Sequence, residues 1–187
     1  TLGSMPQNKQ IKITGETIYL FAPLAYRLGL HAIKTELEDL CMKYRFPKEY
    51  EEIRQKIDDT EPERQQYIER FMAPIIDVLD RNKIQYEISA RVKSIYSIWN
   101  KMRRKEIPFE EVYDLFAIRI VFKALPFPSE KTQCWQIYSN ITDIYTPKPD
   151  RLRDWISIPK SNGYEALHST VMGPDGIWVE VQVRTER

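Results

Sequence analysis

Cysteine is almost absent from this 187-residue chain: only Cys41 and Cys134 occur, far apart and outside any C-x-x-C pair. Neither a disulfide framework nor a cysteine zinc site is suggested, and a reducing compartment is the simplest setting. No apolar run approaches the roughly 20 residues that a membrane-spanning helix needs, and no leader peptide is visible. Charge of one sign is lacking too. With 28 basic and 27 acidic residues the formal net charge is +1, so wholesale attraction to nucleic acid is not indicated and any basic patch must be local. Glycine is scarce, at 6 residues, and there is neither an internal repeat nor a low-complexity tract. The first residue is not Met and the last residues leave what reads as a strand, so the chain is expected to be a fragment.

What is present is a soluble globular composition, 42% hydrophobic and 29% charged, on a chain long enough to bury a real core. The first half reads as helices. Ile18, Phe21, Leu24, Ala25 and Leu28 recur at helical spacing, with Pro23 expected to kink the run and Gly29 to stop it. Ile33, Leu37, Leu40 and Cys41 repeat the pattern until Pro47. Further helices are expected within 48–58 and 62–82, the latter with a stripe of Phe71, Ile75, Val78 and Leu79.

Past Ile84 the character changes. "IQYEISA" and "DLFAIRIVF" (114–122) read as strands, 129–145 as a helix and "WISIP" as a short strand. "HSTVM" and "IWVEVQV" flank the turn signal "GPDG" and so form a hairpin. The fold class expected is α+β, a mixed α/β sheet flanked by helices and preceded by an N-terminal helical segment.

Three groups carry chemistry. The stretch "RVKSIYSIWNKMRRK" (91–105) concentrates six cations without an acid before Glu106. Lys93, Ser97, Lys101 and Lys105 recur every four residues, which on a helix stacks them along one face, with Arg91 at its start. Such a row suits a chain of phosphates, since ammonium groups supply point charge and guanidinium a planar face. An ordinary solvated helix face would mix Glu with Lys.

Next, Asp114 opens the "DLFAIRIVF" strand, and the period of two in "IWVEVQVRT" presents Glu180, Gln182 and Arg184 on one face. Two carboxylates beside a polyphosphate suit Mg²⁺, which takes one or two carboxylates plus phosphate oxygens. Any half-exposed strand would show the same alternation. Finally, "RLRDWISIPKSNGYEALHSTV" gathers Arg151, Arg153 and Lys160 in an expected loop, the turn Asn162-Gly163, the ring of Tyr164 and, four residues on, His168. Cations, an amide and an aromatic equip a loop for a nucleotide. The plainer account is a surface loop whose Tyr and His plug the core.

In this order, "RVKSIYSIWNKMRRK", "YDLFAIRIVF", "RLRDWISIPKSNGYEALHSTV" and "VEVQVRT" resemble the synthetase domain of the RelA/SpoT homologues, enzymes that make the alarmone (p)ppGpp. Residues 1–47 resemble the helices that close the neighbouring hydrolase domain and lead into the synthetase, leaving 48–187 as the synthetase domain. The resemblance implies a nucleotidyltransferase-like mixed sheet of five strands. It also implies a Mg²⁺-dependent transfer of pyrophosphate from ATP to the ribose 3′-hydroxyl of GTP or GDP, leaving AMP.

By the same resemblance, Arg91 stacks on adenine, while Lys93, Ser97 and Lys101 hold the ATP phosphates. Asp114 binds the metal. Glu180 joins it there or acts as base, supported by Gln182. Tyr164 stacks on guanine, Asn162 helps to read that base, Lys160 and Arg153 face the acceptor's phosphates, and His168 belongs to the same motif. The setting implied is the bacterial cytoplasm, with no membrane and no direct nucleic-acid contact. A ribosome or other regulator would act only through parts of a longer protein.

The loop reads Arg151-Leu-Arg153-Asp154, the basic form of a family variable segment, with Arg in place of Lys. His31 and His168 are followed by Ala and Ser, so the His-Asp pair of the family's hydrolase is missing and (p)ppGpp breakdown is not expected. Three other readings stand beside this one. A nucleotidyltransferase acting on another acceptor would usually show Gly-Ser before Asp-x-Asp, and neither occurs. The other two are a nucleotide-binding module without catalysis and, for residues 1–82 alone, a helical interaction module.

Overall fold

The computed structural model describes residues 2–186. The chain folds as two compact units that interleave in sequence, Thr1–Thr60 with Lys93–Val112, and Glu61–Val92 with Tyr113–Arg187.

The first unit is helical. Helix α1 (Gln7–Glu16) runs through a π turn at Thr17–Phe21 into α2 (Ala22–Arg27). Pro23 has no N–H to donate, and the wide turn closes instead with the Ala22 N–H donating to the Thr17 carbonyl. Gly29, at φ 76°, takes the left-handed conformation that ends α2. Helix α3 (His31–Arg45) stops at Phe46, and Pro47 opens α4 (Pro47–Asp59) at a position where its missing N–H costs nothing.

From Glu61 to Val92 the chain belongs to the second unit. Helix α5 (Glu61–Arg81) buries Ile68, Phe71, Ile75 and Leu79, one stripe at helical spacing. Strand β1 (Tyr86–Val92) follows.

Helix α6 (Ile95–Lys105) completes the first unit, with Ile98 buried beneath it. Trp99 packs against Phe46 at 4.7 Å and Tyr96 at 5.9 Å between ring centroids. Two groups cap its N-terminus. The Ser94 hydroxyl accepts from the Ser97 N–H, and the Asp39 carboxylate of α3 accepts from the Tyr96 N–H at 2.9 Å.

The second unit is a five-stranded sheet, ordered β1-β2-β5-β4-β3, formed with β2 (Phe116–Phe122), β3 (Arg153–Asp154), β4 (Leu167–Met172) and β5 (Trp178–Thr185). β2 and β5 are parallel and all other pairs antiparallel, which is the mixed five-stranded sheet expected. Helix α7 (Glu130–Ile144) starts at the Ser129 cap and joins α5 on the core. Phe116, Ile118, Ile120 and Phe122 of β2, Val179, Val181 and Val183 of β5, and Leu167 and Val171 of β4 form that core with Phe71, Ile75, Ile137 and Ile141.

Two strand expectations shift. β2 begins at Phe116 rather than at Asp114, because its pairing with β1 runs out at Val92↔Phe116. "WISIP" is a turn, not a strand. The Asp154 carboxylate accepts from the N–H groups of Ile156 and Ser157 at 3.1 and 2.8 Å, which closes the chain locally. The short strand lies just before it, so Arg153 sits on β3 rather than in a loop.

Close packing makes Gly173, at the mouth of the β4–β5 hairpin, a sharp test of this core. A methyl group there would lie 2.6 Å from the Tyr67 hydroxyl and 2.9 Å from the Phe71 ring. Gly173→Ala is expected to cost about 1–3 kcal/mol in urea unfolding; an unchanged midpoint would contradict the packing.

The Asp39 cap has an electrostatic signature. Burial raises its pKa above 3.8, against the opposing hydrogen bonds from Tyr96, Ile95 and Ser94. Stability from this raised pKa is therefore present below 3.8 and is lost as pH rises through the folded-state value. Asp39→Asn keeps an acceptor oxygen without the charge. At pH 7 it should be at least as stable as the parent, with the difference vanishing in acid, whereas Asp39→Ala loses about 0.5–2 kcal/mol with the cap. Thermal melts across pH distinguish the two.

Candidate functional site

Strand register places the candidate residues of the second unit. Side chains alternate between faces, and paired residues on neighbouring strands point the same way. With Val179, Val181 and Val183 in the core, Glu180, Gln182 and Arg184 project from the opposite face. One row across that face runs Arg91–Ala117–Glu180–Thr170 over β1, β2, β5 and β4. The next runs Ser89–Arg119–Gln182–His168–Arg153 over all five strands. Arg91, Glu180, Gln182, His168 and Arg153, dispersed over 92 positions of the chain, thus share one surface. Asp114 is half-buried and lies three residues ahead of Ala117, the Cα partner of Glu180.

Glu180 is held by its neighbours. Gln182 Nε2 donates to Glu180 Oε1 at 2.7 Å, and His168 Nδ1 stands 3.6 Å from the same oxygen. His168 Nε2 lies 2.9 Å from the Tyr164 hydroxyl. Burial pushes the His168 pKa below its ordinary value, Lys160 and Arg119 push the same way, and Glu180 opposes them. Burial also raises the Tyr164 pKa, against Arg184, Arg119 and Arg91.

The loop before β4 is built by local hydrogen bonds. The Tyr164 N–H donates to Asn162 Oδ1 at 3.2 Å, Lys160 N–H to the Tyr164 carbonyl at 3.1 Å, and Gly163 N–H to the Lys160 carbonyl at 2.8 Å. Gly163 has φ 74°, where a side chain would be strained. Asn162 therefore shapes the turn that carries Tyr164. Lys160 Nζ lies between two rings, 5.0 Å from Trp155 and 5.1 Å from Tyr164, and Arg184 Cζ is 5.6 Å from the Tyr164 centroid.

In the first unit, the basic helix is shorter than its sequence suggests. Ser94 sets its start, so Lys93 precedes the helix, and Arg91 ends in β1 instead of opening α6. Ser97, Lys101 and Lys105 remain at four-residue spacing on α6. Ser97 also accepts a hydrogen bond from the Ser94 hydroxyl at 2.9 Å. Arg103, Arg104 and Lys105 fill the last turn, where the helix dipole favours cations, and Arg103 lies 4.7 Å over Trp99. Half of the six cations thus have a structural explanation.

Arg119 was missed by the sequence reading. It is half-buried on the polar face between Ser89 and Gln182, and its Nε is buried with no hydrogen-bond partner. Its only signal is a lone cation at a period-two position in an otherwise apolar strand. An unpaired buried N–H costs about 1–3 kcal/mol, and an anionic ligand would remove that cost.

Among the described residues, no group of three or more His, Cys, Asp or Glu side chains could hold a metal ion. That leaves out an all-protein cage. A carboxylate such as half-buried Asp114 is the kind of ligand a hard cation takes one or two of, with phosphate oxygens and water filling its remaining positions. Among the described residues no helix is long and apolar enough to cross a membrane.

A family profile described as "Region found in RelA / SpoT proteins" matches residues 90–187. The chain is 37% identical over 186 residues to the Bifunctional (p)ppGpp synthase/hydrolase SpoT of Escherichia coli (strain K12), covering 100% of this chain and 26% of that protein. It is 38% identical over 185 residues to a GTP pyrophosphokinase of Myxococcus xanthus, covering 99% and 24%. The chain therefore spans about a quarter of the length of these curated relatives. In fold it is similar to the crystal structure of small alarmone synthetase 1 from Bacillus subtilis bound to its product pppGpp, with a TM-score of 0.50, 24% identity, and coverage of 71% of this chain and 76% of that one. Because the profile matches more than half of the chain, the chain belongs to the RelA/SpoT family.

Proposed function

We propose that this chain is a (p)ppGpp synthetase, moving pyrophosphate from ATP to the ribose 3′-hydroxyl of GTP or GDP. The observation that carries this reading is Glu180 set in a row with Arg91, beside Arg119, its carboxylate held by Gln182. Family membership supports it, as do the names of the relatives, one a (p)ppGpp synthase/hydrolase and one a GTP pyrophosphokinase.

In the reaction the 3′-oxygen forms a bond to the β-phosphorus of ATP. The bond from that phosphorus to the oxygen bridging to the α-phosphate breaks, and AMP leaves with the electron pair. Glu180 takes the 3′-hydroxyl proton, since a sugar hydroxyl is a poor nucleophile at neutral pH. Arg91 offers a planar cation for the adenine face. Lys93, Ser97 and Lys101 are assigned to the ATP phosphates, and Arg119, with its unpartnered Nε, is added to the groups that meet phosphate charge. On the acceptor side, Tyr164 offers its ring to guanine, with Asn162 beside it, and Lys160 and Arg153 face the phosphates. Asp114 would hold Mg²⁺, which would supply neutralisation of charge on the reacting phosphates; the alternative role for Glu180, in place of the base, is to join Asp114 at that ion.

Two measurements test the assignment. With Mg²⁺, γ-labelled ATP and GTP, label should appear on a guanosine tetra- or pentaphosphate. Asp114→Asn and Glu180→Gln should each lower turnover at least about 100-fold, the scale for losing a key charge-handling group, with unchanged thermal unfolding. Near-normal rates in both variants would exclude the carboxylate assignment, and label found only on another acceptor would exclude the reaction. Lys101→Ala should chiefly raise the KM for ATP; a KM that does not move while turnover falls would show that Lys101 acts elsewhere.

A further inference from the structure

Tyr164 carries a hydroxyl that stacking on a base does not use, and that hydroxyl has a definite partner. It lies 2.9 Å from His168 Nε2, with the two rings edge to face at 86° and centroids 5.7 Å apart. On the other side of the imidazole, Nδ1 stands 3.6 Å from Glu180 Oε1. A neutral imidazole has one N–H and one lone pair, and a single tautomer satisfies both neighbours. With the proton on Nδ1, the N–H dipole faces the carboxylate and Nε2 accepts from the tyrosine. The other tautomer would set a lone pair against the carboxylate oxygen and leave it unfavourable.

The array is anchored at each end. His168 sits on β4 opposite Gln182, which itself donates to Glu180 Oε1 at 2.7 Å. Tyr164 is fixed by the hydrogen-bonded turn at Lys160–Tyr164 and by the two cations at its ring.

From this geometry we infer that the Tyr164 hydroxyl is a positioning group, which fixes the His168 tautomer and through it orients the Glu180 carboxylate toward the acceptor's 3′-oxygen. The inference rests on the synthetase reading. One side chain then has two separable parts: the ring holds the acceptor base, and the hydroxyl sets the group that takes the acceptor's proton. A base seated on the ring is thereby registered with the carboxylate several residues away. Misplacement of a reacting group by about 1 Å can cost as much as 100-fold in rate.

Tyr164→Phe separates the two parts, because it keeps the ring and removes only the hydroxyl. GTP affinity by titration calorimetry and KM for GTP should stay within about twofold of the parent, while kcat falls at least about 10-fold. Tyr164→Ala should instead weaken GTP binding. His168→Ala should lower kcat, and the Tyr164→Phe/His168→Ala double variant should be no slower than His168→Ala alone, as expected for groups acting in series. A Tyr164→Phe protein with parental kcat, or losses that add fully in the double variant, would overturn the inference while the parent still makes product. A parent that binds GTP yet makes no guanosine tetra- or pentaphosphate would overturn the synthetase reading and this inference with it.

Discussion

The parallel pairing of β2 with β5 is the constraint on which the site depends. Ala117↔Glu180 and Arg119↔Gln182 are Cα partners only in this register. In the same register Ile118, Ile120, Val181 and Val183 are all at or below 1% exposure. A slip by one residue would turn the valines outward and drive Glu180 and Gln182 into the core. Burying an unpaired carboxylate costs several kcal/mol, far more than any rearrangement could recover there. Stability and placement of the polar face are therefore one requirement. The apolar side of each strand specifies the register, and the register delivers the polar side. Nothing about Glu180 itself has to contribute to folding for it to be placed correctly.

Charge is distributed by the same alternation. The whole chain carries a net charge of only +1, yet Arg91, Arg119, Arg153 and Arg184 emerge on one sheet face with Lys160 near the Tyr164 ring. Acids of the second unit pair elsewhere, as Asp175 does with Arg70 and Asp77 with Arg81. Cations gathered around a single carboxylate, Glu180, would repel one another in isolation, and half-burial weakens solvent screening. A polyanion relieves that repulsion. The same environment keeps His168 below its ordinary pKa, since burial and the nearby Lys160 and Arg119 outweigh the attraction of Glu180. A local charge imbalance inside a neutral protein is thus a more informative sign of function than net charge.

Much of this was readable in the sequence because its signals are local. The period of two in Trp178–Arg184, the turn at Gly173–Gly176 and the stripes of α5 depend on neighbours a few residues apart, and they appear as expected. Gly29 ends α2 for the reason its conformational freedom suggests. What could not be read depends on distant partners. Strand order, and with it the two rows of side chains, rests on the pairing of β2 with β5, where Cα partners such as Ala117 and Glu180 are 63 residues apart in sequence. Arg119 looked like one cation in a core strand until the register put it beside Gln182. Lys93 looked helical because a four-residue spacing says nothing about where a cap begins. The second cap, Asp39, is 57 residues from the N–H it accepts. "WISIP" failed as a strand because one carboxylate, Asp154, offered its backbone a closer partner than the sheet did.

The two halves of the polar face differ in how they are held, and this bears on how a substrate would be received. Glu180, Gln182, His168, Arg119 and Arg91 stand on strands, whose backbones are fixed by ladders on both sides for all but the edge residue Arg91. Side chains on such elements are pre-positioned with little left to lose in entropy. Lys160, Asn162 and Tyr164 stand instead on a turn closed by three hydrogen bonds of its own, outside the sheet. Segments of that kind open at a fraction of the global unfolding free energy. Its links to the rigid half include the Tyr164–His168 contact and Arg184 of β5 over the Tyr164 ring. An acceptor that stacks on the ring would tighten the turn against the sheet where Tyr164 meets His168 and Arg184, so that ordering of the loop and alignment of the carboxylate would occur in the same step.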